Sequence, residues 1–434
     1  MHRLISVLGI LVFIGLAWLM SSHKRRVSPR MIVGGLVLQF AFAAIILQTT
    51  YGSRAFDAVD FAFNRLLDCV SAGSAFVFGD SFPEHFFAFK VLPTIIFFSA
   101  FMSIFYYYGV MQFIVGLFAR LMQATLGTSG AETLSAAANI FVGQTEAPLV
   151  IRPYIPTMTI SELNAIMIGG FATMAGGVLA AYVDMGISAK HLLSASVMAA
   201  PAGLMIAKIL QPEVDEPKTL GHVKIDVKDP SANVLEAIAN GAVGGLQLAL
   251  NVGAMLIVFL ALIALVNLIL AWIGAQFGYV SFPIVAPSSS AAGWFALPLP
   301  ELATVGYRTW SLEGALGWLF QPVAWLIGIE PKDCPRAGEL LGLKMAANEF
   351  VAYGRLASWS APGSVVEISD RTRQLVTYAL CGFANFSSIG IQLGGIGGMA
   401  PERRGDLARL GLRAMLGGTL VAFINACVAN IMMD

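Results

Sequence analysis

Eight stretches of this chain are long and apolar enough to cross a bilayer, near residues 4–20, 31–48, 91–119, 163–183, 192–210, 246–274, 374–395 and 410–430. A helix needs roughly 20 mostly apolar residues to span the hydrocarbon core, and inside lipid the backbone must satisfy its own polar groups. Such a chain is confined to helices bundled in a membrane, so the expected fold class is an all-α polytopic membrane protein. The charge content agrees: 12% of the residues are charged and 57% hydrophobic, against about 25% charged in a soluble domain. Lys plus Arg and Asp plus Glu are equal at 26 each, which gives no pull toward nucleic acid.

Where the charges fall sets the expected orientation. The cluster His23-Lys24-Arg25-Arg26, with Arg30, follows the first apolar run, whereas a cleavable secretory signal carries its basic residues ahead of that run. The first run therefore reads as a retained span. Basic residues stay cytoplasmic, which places the N-terminus outside a multi-pass inner-membrane protein. After eight crossings the stretch Pro401-Glu402-Arg403-Arg404-Gly405-Asp406, with Arg409 and Arg413, falls on the same side as Arg25 and Arg26.

Residues 54–70 alternate Phe56, Val59, Phe63, Leu66, Leu67 and Val70 with Asp57, Asp60, Asn64 and Asp68. This is an amphipathic pattern, expected to lie in an interface. Residues 211–232 carry Glu213, Asp215, Glu216, Lys218, Lys224, Asp226, Lys228 and Asp229 and read as a solvated cytoplasmic loop. The chain divides accordingly into 1–90 (N-terminal helices and interfacial helix), 91–210 (first half), the loop 211–232, and 233–434 (second half).

Two further stretches, about 127–160 and 310–356, are moderately apolar but broken by Gly, Pro, Gln, Asn and Glu. They read as re-entrant hairpins or as ordinary loops, since broken backbone at membrane depth survives only when buried in protein or lining a wet cavity. A repeat favours hairpins. Ala137-Ala138-Asn139-Ile140-Phe141-Val142 recurs as Ala346-Ala347-Asn348-Glu349-Phe350-Val351, and some thirty residues later Gly170-Phe171-Ala172 recurs as Gly382-Phe383-Ala384. With eight crossings the two hairpins enter from opposite sides, and inverted repeats with broken helices meeting at midplane characterise secondary transporters.

The chemistry sits at those breaks. In the first hairpin Gly143 and Pro148 bound the polar tip Gln144-Thr145-Glu146, and a carboxylate at such depth marks a substrate or ion path or caps the second half-helix. The second hairpin presents Asn348-Glu349. The spans that follow are interrupted at Gly169-Gly170-Phe171-Ala172-Thr173-Met174-Ala175-Gly176-Gly177-Val178 and at Phe383-Ala384-Asn385-Phe386-Ser387-Ser388-Ile389-Gly390. These small residues serve equally for plain helix packing. Unwound turns there would free carbonyl oxygens suited to Na+. Cys69, Cys334, Cys381 and Cys427 are too scattered for a thiolate metal site, and His2, His23, His85, His191 and His222 lack ligand spacing. Gly395-Ile396-Gly397-Gly398-Met399-Ala400 fits a dinucleotide pattern only formally, lacking a preceding strand, and no hydrolase signature is present. The chain is not expected to be an enzyme.

The run Gly143-Gln144-Thr145-Glu146-Ala147-Pro148, the Gly-rich span after it, Asn348-Glu349-Phe350-Val351 and Phe383-Ala384-Asn385-Phe386-Ser387-Ser388 together resemble the concentrative nucleoside transporter family. The likeness runs from about residue 90 onward, while the first 90 residues match in layout only. The resemblance implies eight transmembrane helices, two opposed re-entrant hairpins, interfacial helices and a homotrimer in lipid, importing nucleosides with Na+ as coupling ion. It implies that Gln144, Thr145, Glu146 and Val178 face the nucleobase, and that Glu349, Asn385 and Ser388 bind the ribose with Phe383 nearby. It also implies sodium ligands at Asn139, Val142, Thr173 and Met174, of which Val142 and Met174 contribute only main-chain oxygen; Thr173 stands where the family often has Ser. Proton-coupled members vary the hairpin after the Gly-Gln pair, and Thr145-Glu146-Ala147-Pro148 points to sodium. A proton-coupled symporter and a passive channel are the alternatives; a channel would show rings of like charge or carbonyl filters. The helix around Asn240-Gly241-Ala242-Val243-Gly244-Gly245 is the expected packing surface in the trimer.

Overall fold

The computed structural model describes residues 2–82, 86–220, 231–277, 310–360 and 366–433. Among them every regular element is helical: α1 (His2–Leu19), α2 (Pro29–Leu47), α3 (Thr50–Phe78), α4 (Leu92–Tyr107), α5 (Val110–Leu126), α6 (Gly130–Ala138), α7 (Ile160–Ala172), α8 (Gly176–Asp184), α9 (Ala189–Leu210), α10 (Val234–Gln276), α11 (Leu312–Ile327), α12 (Cys334–Ala346), α13 (Glu349–Ser360), α14 (Asp370–Leu380), α15 (Phe386–Met399) and α16 (Arg404–Met432). The stretches 221–230 of the expected polar loop and 278–309 of the second half lie outside the described residues.

Among the described residues, eight helical stretches are long and apolar enough to span a membrane, but they are not quite the eight read from hydropathy. Residues 91–119 are two helices, because Gly109 takes φ +76° between α4 and α5, a backbone conformation open mainly to glycine. Residues 374–395 are likewise broken, between α14 and α15. The amphipathic 54–70 pattern belongs to the longer α3, whose residues 57–78 are apolar enough to count among the eight. Its polar face is used against α9: Asp60 Oδ1 accepts from the Ala189 N–H at 3.0 Å, and Lys190 pairs with Asp57 at 3.0 Å. A carboxylate at a helix N-terminus meets the positive end of the helix dipole.

α7, α8 and α9 form the centre, with α16 beside them, whereas α1 and α10 present most of their surface outward. Packing at the centre is held by small residues and by amides. Asn425 of α16 accepts from Gln39 Nε2 of α2 at 2.6 Å and donates to the Ala195 carbonyl of α9 at 3.1 Å, satisfying groups that would otherwise be costly away from water. α10 lies against α4, where a Cβ on Gly245 would stand 2.7 Å from Ser99 Cβ. Gly241 meets Ser103 and Ala100 in the same way, so these two glycines of the expected trimer surface pack within the chain instead.

Both hairpins are present as buried pairs of short arms. α6 starts at a capping box, Ser129 with Glu132, and α7 at another, Thr159 with Glu162. The return arm of the first hairpin, Ala147–Thr157, is a 3-10 helix, because Pro148, Pro153 and Pro156 remove the donors an α-helix needs. In the second hairpin only Ala347 and Asn348 separate α12 from α13. The breaks in the two following spans meet: Gly382, at φ +99°, abuts Phe171 and Ala172 so closely that a Cβ would stand 2.6 Å from the Phe171 carbonyl oxygen.

Candidate functional site

Four interrupted elements bring their ends to one place, and there lies a cavity of about 670 Å³. Its wall contains all eight residues expected to bind substrate: Gln144, Thr145 and Glu146 from the first hairpin tip, Val178 from α8, Glu349 from α13, and Phe383, Asn385 and Ser388 from the α14–α15 break. They come from sequence positions more than 200 residues apart, and the repeat brings them together by crossing its two halves.

Glu349 is 5% exposed, a position where an unpaired carboxylate costs several kcal/mol. It is not unpaired. Tyr182 Oη donates to Glu349 Oε1 at 3.0 Å, and Asn385 Nδ2 donates to Glu349 Oε2 at 2.9 Å. Asn385 is itself fixed, since its Oδ1 accepts from Ser387 Oγ at 2.7 Å and from the Ser388 N–H at 2.9 Å. Asn385 is thus the N-cap of α15, which sets its amide with the N–H2 group toward Glu349. Ser388 bonds Asn385 through its backbone N–H, and the second donor to Glu349 is the phenol of Tyr182. Nothing local in the sequence singled out that tyrosine, because it sits on an apolar helix and acquires its role only through contact with the other repeat.

On the opposite wall, Gln144 Oε1 accepts from Gln392 Nε2 at 3.0 Å, and the same nitrogen donates to the Met167 carbonyl at 3.1 Å. Gln392 therefore sets the orientation of Gln144 from α15. Glu146 occupies the N-cap position of the 3-10 arm but makes no side-chain cap; its carboxylate is exposed to the cavity and folds back over Gly143, where any Cβ would collide with it. α10 closes the remaining side with Gln247, Leu248, Asn251 and Val252. Gln247 and Asn251 were not singled out from sequence, although two polar residues four apart in an apolar helix share a face and signal a polar contact at membrane depth.

The expected sodium ligands form a separate group behind the first hairpin tip. Asn139 is fully buried, yet neither its Oδ1 nor its Nδ2 has a hydrogen-bond partner. It packs on the end of α7, where a Cβ on Gly169 would stand 3.2 Å from Asn139 Nδ2. The Thr173 hydroxyl, in the α7–α8 break, donates to the Gly169 carbonyl at 2.8 Å, leaving its lone pairs free to accept. Met174 is buried beside it, and Val142 closes the turn after Asn139. Among the described residues no group of three or more His, Cys, Asp or Glu could hold a metal ion, so any cation here would meet neutral, hard oxygens, a set that suits a monovalent alkali ion.

With this geometry in place, comparison with known proteins is direct. The family model "Na+ dependent nucleoside transporter C-terminus" matches residues 191–430, "Na+ dependent nucleoside transporter N-terminus" matches 8–81, and "Nucleoside recognition" matches 88–189. The likeness thus includes the first 90 residues in sequence as well as in layout. An uncharacterized transporter of Haemophilus influenzae is 45% identical over 99% of this chain and 98% of its own length. Sodium/nucleoside cotransporter 1 of Sus scrofa is 43% identical over 99% of this chain, and solute carrier family 28 member 3 of Homo sapiens is 41% identical over 99% of it. The chain spans only 64% and 60% of those two longer proteins. Among solved structures, CNTnw in an inward-facing substrate-bound state superposes with TM-score 0.86 at 40% identity, covering 100% of this chain and 98% of that one. A CNTnw variant in an outward-facing state superposes with TM-score 0.88 at 40% identity over the same shares of the two chains. The chain is a membrane transporter and belongs to the Na+-dependent nucleoside transporter family.

Proposed function

We propose that the protein is a sodium-coupled symporter that imports nucleosides across the inner membrane by alternating access. The observation that carries this reading is the Glu349 carboxylate, held at the cavity wall by Tyr182 and Asn385. A carboxylate has about four lone-pair sites, of which those two bonds use two; the remainder suit the adjacent hydroxyls of a ribose. With Ser388 and Phe383 beside it, this end of the cavity takes the sugar. The base lies toward Gln144, Thr145, Glu146 and Val178, whose mixed donors and acceptors match a base edge. The volume of about 670 Å³ is within the usual range of roughly 300–1,000 Å³ for small-molecule sites.

Asn139 and Thr173 supply side-chain oxygens for Na+, and Val142 and Met174 supply main-chain oxygens. The unpartnered, fully buried Asn139 amide supports this, because such a group is costly unless something binds it. Sodium held there would brace the hairpin tip that carries Gln144, Thr145 and Glu146, so ion and substrate sites share one element. The halves 91–210 and 233–434 then act as the two repeats, with 1–90 and the loop 211–232 outside the repeat, the N-terminus facing outward, and α3 at the lipid boundary. The working unit is a homotrimer in lipid; a stable monomer mass in detergent at all concentrations would refute that assembly.

Radiolabelled uridine uptake into proteoliposomes tests the reading. Accumulation should follow an inward Na+ gradient. Equal accumulation in sodium and choline buffers that collapses with a proton uncoupler would establish the proton-coupled alternative, and uptake that never exceeds equilibrium would establish a passive channel.

A further inference from the structure

One face of α15 supports the tip of the first hairpin. Ser388, Gln392 and Gly395 fall at helical spacing and share that face. Gly395 meets Thr145, whose Cγ2 would stand 2.6 Å from a Cβ there. Gln392 lies beneath Gln144, and the two side chains fit because position 170 is a glycine: a Cβ on Gly170 would stand 2.8 Å from Gln144 Cβ and 2.8 Å from Gln392 Nε2. Gln392 is fully buried behind the cavity wall.

The polarity of this contact is fixed by a group that cannot change its own. The Met167 carbonyl can only accept, so the atom of Gln392 that stands 3.1 Å from it is the amide nitrogen. The same nitrogen stands 3.0 Å from Gln144, which must therefore answer with its oxygen. Gln144 then has its N–H2 group left for the cavity it lines. Gln392 uses its nitrogen for both contacts, and its own Oε1 is buried with no partner. A buried acceptor left unbonded is destabilising. An apolar side chain of similar length would pack there without that cost, so what Gln392 supplies is its two donated bonds.

We propose that Gln392 is a positioning residue that locks Gln144 as a hydrogen-bond donor, so that this wall selects nucleosides whose base carries an exocyclic carbonyl over those carrying an exocyclic amino group. This rests on the reading that places the base toward Gln144. A carbonyl accepts from the Gln144 N–H2 group, whereas an amino group in its place sets donor against donor and leaves both without a partner. A site with a fixed donor discriminates more strongly than one whose amide can turn to suit either base. Uridine and cytidine share sugar and ring size and differ along this edge, so the pair isolates it.

The test is calorimetric binding of uridine and of cytidine to the full chain at saturating Na+. The wild type should bind uridine roughly tenfold more tightly than cytidine. Gln392→Met removes both donated bonds at similar length and frees Gln144 to turn, which should bring the ratio to about one. Wild type that binds the two equally, or Gln392→Met that keeps the wild-type ratio, would overturn the proposal. Should Gln392→Met yield no folded protein, Gln144→Ala decides: a ratio of about one supports the fixed donor, and an unchanged ratio refutes it. A merely structural Gln392 would lower thermal stability, or the affinity for both nucleosides alike, without moving the ratio. Wild type that binds neither nucleoside would instead remove the nucleoside reading itself, and this proposal with it.

Discussion

Replacing Glu349 by Gln separates recognition of the ribose from maintenance of the fold. Both groups that now bond the carboxylate are donors, Tyr182 Oη at 3.0 Å and Asn385 Nδ2 at 2.9 Å. A Gln has one acceptor oxygen and one N–H2 group, and Asn385 cannot turn its own amide, because its Oδ1 caps α15 through the Ser388 N–H. The Gln oxygen must therefore face Asn385, and its N–H2 must face Tyr182, whose hydroxyl can rotate to accept. The substituted site keeps its packing and loses its charge. What disappears is the charged acceptor for the ribose hydroxyls, each hydrogen bond to which contributes about 1.5–3 kcal/mol. Uridine binding should weaken roughly ten- to a hundredfold. A nucleoside lacking both hydroxyls should lose far less. Calorimetry of uridine and 2′,3′-dideoxyuridine with wild type and Glu349→Gln, at saturating Na+, gives the comparison. Equal losses for both ligands would show that Glu349 supports the fold or the ion, and the ribose assignment would fail.

Asn139→Ala removes no hydrogen bond from the protein, since neither polar atom has a partner, so thermal unfolding in choline should barely change while half-saturation for Na+ rises about tenfold, the loss of roughly one ligand interaction; an unchanged Na+ dependence would clear Asn139 of that role. Lys208 of α9 pairs with Glu132 at 2.8 Å, where the carboxylate is 1% exposed, and with Glu213 at 3.1 Å. Lys208→Met should destabilise by about 3–5 kcal/mol by leaving Glu132 buried and unpaired, and adding Glu132→Gln should recover much of that, as read from detergent unfolding. Gly382→Ala forces a side chain onto φ +99° and against the Phe171 carbonyl, costing about 1–3 kcal/mol in backbone strain alone. Gly398→Ala, which meets nothing within 4 Å, should be neutral or stabilising, and similar melting temperatures for both alanine variants would contradict the crossing of the two breaks.

The parts of the site legible in the sequence are those carried by local breaks. Gly143 and Pro148 bound the tip of the first hairpin, Asn348-Glu349 mark the second, and the repeated Gly-Phe-Ala marks the crossing. Polar residues in an apolar run are conspicuous because burial makes them costly. Tyr182 and Gln392 were not legible, because a phenol or an amide on an apolar helix acquires a function only through the group it meets. The fixed orientation of the Asn385 amide was illegible for a related reason. Asn385 adopts a cap geometry that takes the Ser388 N–H for itself, and cap geometry depends on where α15 begins.

What the sequence by itself determined is the membrane-embedded all-helical class, the internal repeat, the two hairpins and the residue types that carry chemistry, since hydropathy, Gly and Pro placement and buried charge act over short distances along the chain. The tertiary structure alone decided which of these meet. It split 91–119 at Gly109, turned Gly241 and Gly245 against α4, and crossed the two repeats so that Glu349 faces Tyr182 from the other half. It also placed Gln392 between Gln144 and the Met167 carbonyl. Such pairings are set by which backbone ends come close enough to exchange hydrogen bonds, and no pattern along one helix specifies that.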